Sequence, residues 1–256
     1  EAMSTVRHKG LYILPNLFTI GSILAAFLGI LWAVDSRFMI AALAILVSAL
    51  LDGLDGKVAR ITKAGSEFGI QMDSLADLVA FGVSPALLIY LWQTQSFGRV
   101  GVACSFLFLA CGALRLARFN VHTLRGTHQN KKSFVGLPVP AAACMLATLV
   151  LFSDTLPAAI TDTFLGPFSL VFICLLALLM VSNVSYASFK DLEFVKLHPF
   201  SSTVGVVLAC ALVLAEPQLV PFLLFLAYLL SGPISFYLHS RGRSAFLRGL
   251  SRRKPS

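Results

Sequence analysis

Four aspartates stand close together in residues 51–78 of an otherwise apolar sequence, which read LDGLDGKVARITKAGSEFGIQMDSLADL. Asp52 and Asp55 are three residues apart and would therefore share one face of a helix. Asp73 and Asp77 are four residues apart and would share a face in the same way. The stretch between the two pairs is short, so we expect two antiparallel neighbouring helices whose carboxylates face each other.

Carboxylates held this close together repel one another, and bound cations relieve that repulsion. Oxygen ligands without His or Cys favour Mg²⁺, Mn²⁺ or Ca²⁺ over zinc or copper. An alternative is that the aspartates pair with Lys57, Arg60 and Lys63, but these residues are too few and too constrained to neutralise both helix faces. The sequence therefore predicts a divalent-metal site.

Small and basic residues accompany the aspartates on the same two helices. Gly56, Ala59 and Gly69 would let a ligand approach closely, although helix packing alone is an alternative explanation for them. Arg60 lies one turn beyond Gly56 and could present its fork of donors to a phosphate. These residues are candidates for binding a phosphate-bearing ligand beside the metal site.

The elements that must position these residues are membrane helices. The sequence is 57% hydrophobic and only 12% charged, with a mean hydropathy of +0.85, which is too apolar for an ordinary soluble domain. Stretches of roughly 20 apolar residues, the length that spans a bilayer, recur between short polar breaks. Their length and continuous apolarity indicate helices rather than barrel strands. The sequence predicts an all-α, polytopic membrane protein with eight transmembrane helices over residues 15–32, 39–60, 68–92, 100–120, 135–152, 164–184, 201–215 and 219–239.

The basic residues set the predicted orientation, since cytoplasmic loops are enriched in Lys and Arg. With eight helices and the N-terminus inside, all of the 20 Lys and Arg residues except Arg37 and Arg99 lie on the cytoplasmic side. Both termini are therefore expected in the cytoplasm. We expect a single domain over residues 1–256, with an interfacial segment at 1–14 and a basic tail at 240–256. The net charge of +8 fits attraction to anionic membrane lipids better than nucleic-acid binding.

The aspartates belong to a longer pattern that resembles the signature of the CDP-alcohol phosphotransferase family. The matching residues are Asp52-x2-Asp55-Gly56-x2-Ala59-Arg60-x8-Gly69-x3-Asp73-x3-Asp77. The resemblance implies that the four aspartates hold two divalent metal ions, Mg²⁺ or Mn²⁺, and that Asp77 is also the general base. It further implies that Asp52, Gly56, Ala59, Arg60 and Gly69 contact the nucleotide-lipid donor.

Residues 14–19, 115–120, 134–140 and 180–190 are similar to the serine-using, membrane-integral branch of the same family in bacteria. The resemblance implies transfer of a phosphatidyl group from CDP-diacylglycerol to L-serine, with release of CMP. It also implies a homodimer in the bacterial inner membrane, with the active site facing the cytoplasm. The same chemistry with glycerol 3-phosphate, inositol phosphate or choline as acceptor stays open, because the aspartate signature does not choose the acceptor.

The acceptor and nucleotide sites have further candidates outside the signature. Arg115, Arg118 and Lys190 could bind the carboxylate of serine, and Asn120 offers polar contacts; the alternative for the basic residues is membrane orientation alone. Asn16 and Thr19 could contact the nucleotide, or could only cap and position the first helix. These residues are candidates whose role depends on the tertiary fold.

A divalent-cation transporter is the competing class of function, because carboxylates inside membranes often line ion pathways. The four aspartates, however, cluster at one side of the predicted membrane. No comparable row of acidic residues continues along the other predicted helices. The sequence therefore favours an enzyme over a transporter.

Overall fold

The computed structural model of the chain describes residues 13–62, 67–124, 133–187 and 199–251. Nearly all of this backbone is helical, because a helix satisfies its own backbone hydrogen bonds where no water is available. The elements in chain order are α1 (Ile13–Val34), α2 (Phe38–Thr62), α3 (Glu67–Asp77), α4 (Ser84–Ile89), α5 (Arg99–Leu124), β1 (Ser133–Val135), α6 (Val139–Ser153), α7 (Ala158–Ile160), α8 (Gly166–Val181), β2 (Ser185–Ala187), α9 (Pro199–Ala215) and α10 (Leu219–Ser251).

Within the described residues, five stretches of helix are long and apolar enough to cross a membrane. They are Asn16–Val34, Phe38–Val58, Gly69–Phe97, Arg99–Val121 and Thr163–Val181, and two shorter apolar helices cover Val139–Ser153 and Leu219–Ser235. Apart from one short pair of strands, the described chain is thus an all-helical membrane protein, as the sequence predicts.

Wide π-helical turns interrupt the helical path after the second aspartate pair. The first π turn, Leu78–Val83, joins α3 to α4, and a second, Tyr90–Thr94, follows α4. Pro85 stands at the start of α4, and its missing amide hydrogen cannot bond to the preceding turn, which favours the wider winding there. The long third stretch is therefore one continuous path with the acidic α3 at its N-terminal end.

The predicted start of the fifth helix, at residue 135, is wrong. Val135 belongs to β1, Gly136 has a φ of +81°, and α6 begins only at Val139 after Pro138. A side chain at Gly136 would collide with the carbonyl of Met180, so the chain can turn this closely past α8 only with glycine. The turn is held by a hydrogen bond from the Gly136 amide to the Val184 carbonyl at 2.8 Å.

Other predicted boundaries differ at the C-terminal ends. The sixth helix, predicted to reach residue 184, ends at Val181, because residues 185–187 form β2 and pair antiparallel with β1. The last helix extends beyond the predicted residue 239 to Ser251, so residues 240–251 of the predicted tail are helical. Residues 1–12 of the predicted interfacial segment lie outside the described residues, as do 252–256.

Helices α1 and α2 form an antiparallel hairpin that is aligned by polar contacts. Ser22 and Ser48 are buried, lie 2.7 Å apart through their hydroxyl oxygens, and the Ser48 hydroxyl also donates to the Ser22 carbonyl at 3.0 Å. A Cβ at Gly29 would lie only 3.2 Å from that of Ala44, so the two helices approach closely through small residues. This alignment brings the N-terminal part of α1 beside the C-terminal part of α2, where the first aspartate pair lies.

Helix α6 is at the centre of the bundle. Eleven of its 15 residues are buried, and it packs against α2, α10 and the first π turn. Around it, Ile45, Phe81, Phe108, Leu146 and Ile173 are buried in one continuous core. Such close packing limits how far the surrounding helices can shift, so α6 supports the helices that carry the polar site.

Candidate active site

The two aspartate pairs meet across α2 and α3, as their spacing predicts. One carboxylate oxygen each from Asp52, Asp55 and Asp73 lies within 4.8 Å of the other two. Oxygen atoms at these separations can bind a common cation or two adjacent cations, because metal–oxygen distances in such sites are roughly 2.0–2.6 Å. The tertiary structure therefore brings together three carboxylates that could hold a metal ion, from residues separated by up to 21 positions in sequence.

Asp77 completes the acidic group. Its side chain is close enough to that of Asp52 for a direct contact, and it also interacts electrostatically with Asp55 and Asp73. Its Oδ1 atom is buried and has no hydrogen-bond partner among the described residues. A buried carboxylate oxygen without a partner is costly, and coordination to a cation would remove that cost. The carboxylate oxygens of the four aspartates are thus a set of ligands that fits divalent metal ions.

Thr19 of α1 holds one of these carboxylates. Its hydroxyl donates to Oδ2 of Asp55 at 2.9 Å, and both side chains are buried. Thr19 and Asn16 lie within α1 rather than before it, so they do not cap this helix, but the Thr19 hydrogen bond does help to position α1 against α2. The structure brings Thr19 to the acidic cluster, and contact of Asn16 or Thr19 with a nucleotide stays a prediction.

The remaining signature residues flank the cluster. Gly56 and Gly69 are half-buried on α2 and α3. Ala59 and Arg60 also lie in α2, but their side chains are outside the described part, so the predicted contact of Arg60 with a phosphate stays a prediction. Lys57 is exposed, and the described side chains show no ion pair between it and the aspartates, which weakens the alternative of simple charge pairing.

One predicted acceptor residue, Arg115 of α5, lies next to the acidic cluster. Its guanidinium interacts electrostatically with Asp77, with Tyr228 of α10 and with Arg118. The Nε atom of Arg115 is buried and has no hydrogen-bond partner in the described chain. Arg118 itself is exposed, and Lys190 lies outside the described residues. Of the three predicted basic residues, Arg115 is the one that the described structure relates to the acidic cluster, through Asp77.

Asn120 forms a hydrogen bond with Ser74, a residue that the sequence did not indicate as a candidate. Its Nδ2 atom donates to the hydroxyl of Ser74 at 2.9 Å, and that hydroxyl also lies 3.1 Å from the carbonyl oxygen of Ile70. Asn120 therefore links α5 to the turn of α3 between Asp73 and Asp77. Ser74 lies inside the acidic signature, but nothing in the spacing of the sequence indicates its partner.

Tyr228 was also missed by the sequence analysis. A single tyrosine within the apolar run LVPFLLFLAYLL of α10 is a signal that could have drawn attention to it, because a phenol group in an apolar helix usually has a polar partner. Its electrostatic interaction with Arg115, however, depends on the tertiary fold. The residues around the acidic cluster thus come from α1, α2, α3 and α5, and Tyr228 of α10 interacts electrostatically with one of them, Arg115.

Several known proteins are similar to this chain in sequence. The chain is 45% identical to "CDP-diacylglycerol--serine O-phosphatidyltransferase" of Helicobacter pylori strain J99 over 187 residues, covering 72% of this chain and 76% of that protein. It is 35% identical to the protein of the same name from Mycobacterium leprae over 240 residues, 90% of this chain and 77% of that one. It is also 36% identical to "Archaetidylserine synthase" of Methanothermobacter thermautotrophicus over 176 residues, 68% of this chain and 69% of that one.

A family comparison covers most of the chain, including every residue of the acidic signature. The family described as CDP-alcohol phosphatidyltransferase matches residues 12–233, which include α1 to α9 and the apolar part of α10. This confirms the resemblance that the aspartate spacing indicates: the chain belongs to the CDP-alcohol phosphatidyltransferase family.

Proposed function

We propose that this protein is an enzyme that transfers the phosphatidyl group of CDP-diacylglycerol to L-serine and forms phosphatidylserine and CMP. The observation that carries the proposal is the acidic cluster, in which oxygens of Asp52, Asp55 and Asp73 lie within 4.8 Å of one another beside Asp77. The names of the relatives from Helicobacter and Mycobacterium state the same reaction. The archaeal relative is named for a serine-containing lipid as well.

Asp52, Asp55, Asp73 and Asp77 would hold two divalent ions, Mg²⁺ or Mn²⁺. When bound, such ions stabilise the negative charge that builds on the attacking and leaving oxygens of a phosphoryl transfer. Thr19 would keep the Asp55 carboxylate in a fixed orientation through its 2.9 Å hydrogen bond. Gly56, Ala59, Arg60 and Gly69, with Asn16 and Thr19, are the proposed contacts of the donor.

Asp77 is the proposed general base. The serine hydroxyl oxygen forms a bond to the phosphorus that carries diacylglycerol, the bond from that phosphorus to the oxygen of CMP breaks, and the hydroxyl proton passes to Asp77. A positioned base of this kind typically contributes a factor of roughly 10²–10⁴ to the rate. The Oδ1 atom of Asp77 is buried and has no hydrogen-bond partner in the described chain. This supports a role for the atom in binding a ligand or accepting a proton.

Arg115 is the proposed partner of the serine carboxylate, with Arg118, Asn120 and Lys190 as further candidates. A guanidinium can donate two parallel hydrogen bonds to a carboxylate, and the Nε atom of Arg115 is buried with no partner in the described chain. Its proximity to Asp77 would place the hydroxyl of the same serine molecule near the base. This arrangement supports serine over acceptors that lack a carboxylate.

The membrane arrangement that we propose has eight spans, cytoplasmic termini and one domain over residues 1–256. Three apolar helices, Val139–Ser153, Pro199–Ala215 and Leu219–Ser235, accompany the five longer spans, and the distribution of basic residues supports an even number. The active site would face the cytoplasm at the inner membrane. Soluble serine would then reach it from the cytoplasm, while the acyl chains of the CDP-diacylglycerol donor stay in the bilayer. A homodimer is part of the same proposal by family resemblance.

The test is CMP release by the purified protein in detergent with CDP-diacylglycerol and Mg²⁺ or Mn²⁺. L-Serine is compared with glycerol 3-phosphate, inositol phosphate and choline, and Asp77→Asn is compared with Asp35→Asn, which alters an exposed carboxylate outside the cluster. We expect release with L-serine that is lost after chelation and in Asp77→Asn but kept in Asp35→Asn. Release with another acceptor alone would contradict the serine assignment, and no metal-dependent release with any acceptor would contradict the enzyme.

A further inference from the structure

We propose that the hydrogen bond between Asn120 of α5 and Ser74 of α3 positions the carboxylates of α3 for metal binding. Asn120, one of the acceptor candidates, is then a positioning residue that acts through Ser74 rather than a contact of the acceptor. The inference rests on the proposed function, in which Asp73 and Asp77 help to hold the divalent ions. It gives a role to Ser74, which lies between these two aspartates in sequence.

Helix α3 depends on its neighbours for its orientation. It is 11 residues long, and an isolated helix of that length is marginally stable. It packs against α1 and the first π turn. Asp73 and Asp77 lie beside the carboxylates of α2, and like charges this close repel one another. Rotation of α3 about its own axis would relieve that repulsion and would move the metal ligands apart.

The hydroxyl of Ser74 is tied to α5 on a different side of α3. Successive residues are about 100° apart around a helix with 3.6 residues per turn, so Ser74 and Asp73 lie on different sides of α3. The Nδ2 atom of Asn120 donates to the Ser74 hydroxyl at 2.9 Å, and the hydroxyl oxygen also lies 3.2 Å from Oδ1 of Asn120. A bond on this side of the helix opposes rotation of the turn that carries Asp73.

Helix α5 supports the third helical stretch on both sides of Asp77. Before Asp77, the contact is the hydrogen bond from Asn120 to Ser74. After Asp77, the π turn Leu78–Val83 packs against α5, and a Cβ at Gly82 in this turn would lie 3.0 Å from a side-chain carbon of Leu109. Loss of the first contact leaves α3 held by α5 at one end only, so the acidic turn is the part that can move.

Two other roles for the pair make different predictions. If Asn120 contacts the acceptor directly, Asn120→Ala raises the KM for L-serine and Ser74→Ala does not. If the bond contributes to folding alone, both substitutions lower the melting temperature and leave the affinity for metal unchanged. A positioning role predicts instead that Ser74→Ala and Asn120→Ala weaken metal binding to the same extent, because each removes the same bond.

The first measurement is Mn²⁺ binding to the purified protein in detergent, followed through the electron paramagnetic resonance signal of the free ion, which requires no substrate. We expect Ser74→Ala and Asn120→Ala each to raise the Kd for Mn²⁺ about fivefold, within the range that loss of one neutral hydrogen bond produces. The double variant should bind no more weakly than either single variant, because both substitutions act through one contact.

Two control variants keep the bond intact. Ser74→Thr retains the hydroxyl and should keep the Kd for Mn²⁺ within about twofold of the wild type. Ser96→Ala removes an exposed hydroxyl that donates to the Gln93 carbonyl at 3.3 Å, and it should leave the Kd unchanged. In CMP release, Ser74→Ala should raise the Mn²⁺ concentration at half-maximal rate about fivefold, with the KM for L-serine within about twofold of the wild type.

An unchanged Kd in Ser74→Ala or in Asn120→Ala, or effects that multiply in the double variant, would overturn this inference alone. A raised KM for L-serine in Asn120→Ala that is absent in Ser74→Ala would overturn it as well. The two substitutions remove the bond from opposite ends, so either one tests the inference if the other variant does not fold. Absence of Mn²⁺ binding by the wild-type protein would overturn the proposed metal site and this inference with it. Binding without serine-dependent CMP release would contradict the proposed reaction, while the Kd values would still decide this inference.

Discussion

Thr19→Val should weaken the response of the enzyme to its metal ion. The substitution replaces the hydroxyl that donates to Asp55 at 2.9 Å with a methyl group of similar volume, so packing between α1 and α2 changes little. Thr19 is 6% exposed and Asp55 is 5% exposed, so water has little access to replace the lost hydrogen bond. Asp55 would keep its hydrogen bond with the Gly56 backbone but lose the contact that ties its carboxylate to α1.

The expected size of the effect follows from that hydrogen bond. A hydrogen bond to a charged group contributes about 1.5–3 kcal/mol, and about 1.4 kcal/mol corresponds to a factor of ten in an equilibrium constant. Loss of the bond should therefore weaken metal activation by roughly 10- to 100-fold, the range found when residues that orient metal ligands are removed.

The assay is CMP release with CDP-diacylglycerol and L-serine, titrated with Mg²⁺ and with Mn²⁺. Thr19→Ser is the matched control, because it keeps the hydroxyl and should keep the metal concentration at half-maximal rate within about twofold of the wild type. Thr19→Val with the same half-maximal concentration as the wild type would refute the reasoning. A changed KM for CDP-diacylglycerol at unchanged metal response would instead assign Thr19 to the nucleotide.

Two further predictions concern the supports around the site. Gly136→Ala should lower the free energy of unfolding by about 1–3 kcal/mol, because Gly136 has a φ of +81° and a Cβ there meets the Met180 carbonyl. Gly205→Ala, where a Cβ meets nothing within 4 Å, is the control in thermal unfolding, and equal melting temperatures for both variants would contradict the argument. Ser74→Ala should cost about 0.5–1.5 kcal/mol, since it removes the acceptor of the Asn120 amide. Denaturant titration checks this, and a double variant with Asn120→Ala that loses the sum of both single effects would show that the pair does not act as a unit.

The helical fold could be predicted from the sequence because a bilayer leaves an apolar chain few options. The first four predicted helices agree with the structure within a few residues, since about 20 consecutive apolar residues must form their own backbone hydrogen bonds. The predicted helix boundaries were wrong where the chain does not continue as a long apolar helix. At Gly136 and in β2 the backbone pairs with a segment about 50 residues away, and no local pattern of residues indicates such a partner.

The acidic cluster was likewise determined by the sequence itself. Spacings of three and four residues place each aspartate pair on one helix face, and a short connection makes the two helices neighbours, so Asp52, Asp55, Asp73 and Asp77 could hardly avoid meeting. Local geometry alone is sufficient for that prediction. The prediction of divalent metal ions follows from the carboxylate type of these side chains, which is also readable from the sequence.

Only the tertiary structure decided which other side chains join that cluster. Thr19 meets Asp55 across 36 positions because the Ser22 and Ser48 hydroxyls and the small residues near Gly29 set the alignment of α1 on α2. The electrostatic interaction of Tyr228 with Arg115 joins residues of α10 and α5 that are far apart in sequence. Contacts of this kind depend on how whole helix faces pack, which involves many small contributions from distant residues. Spacing along one helix therefore determined the acidic cluster, whereas packing between helices decided which other side chains contact it.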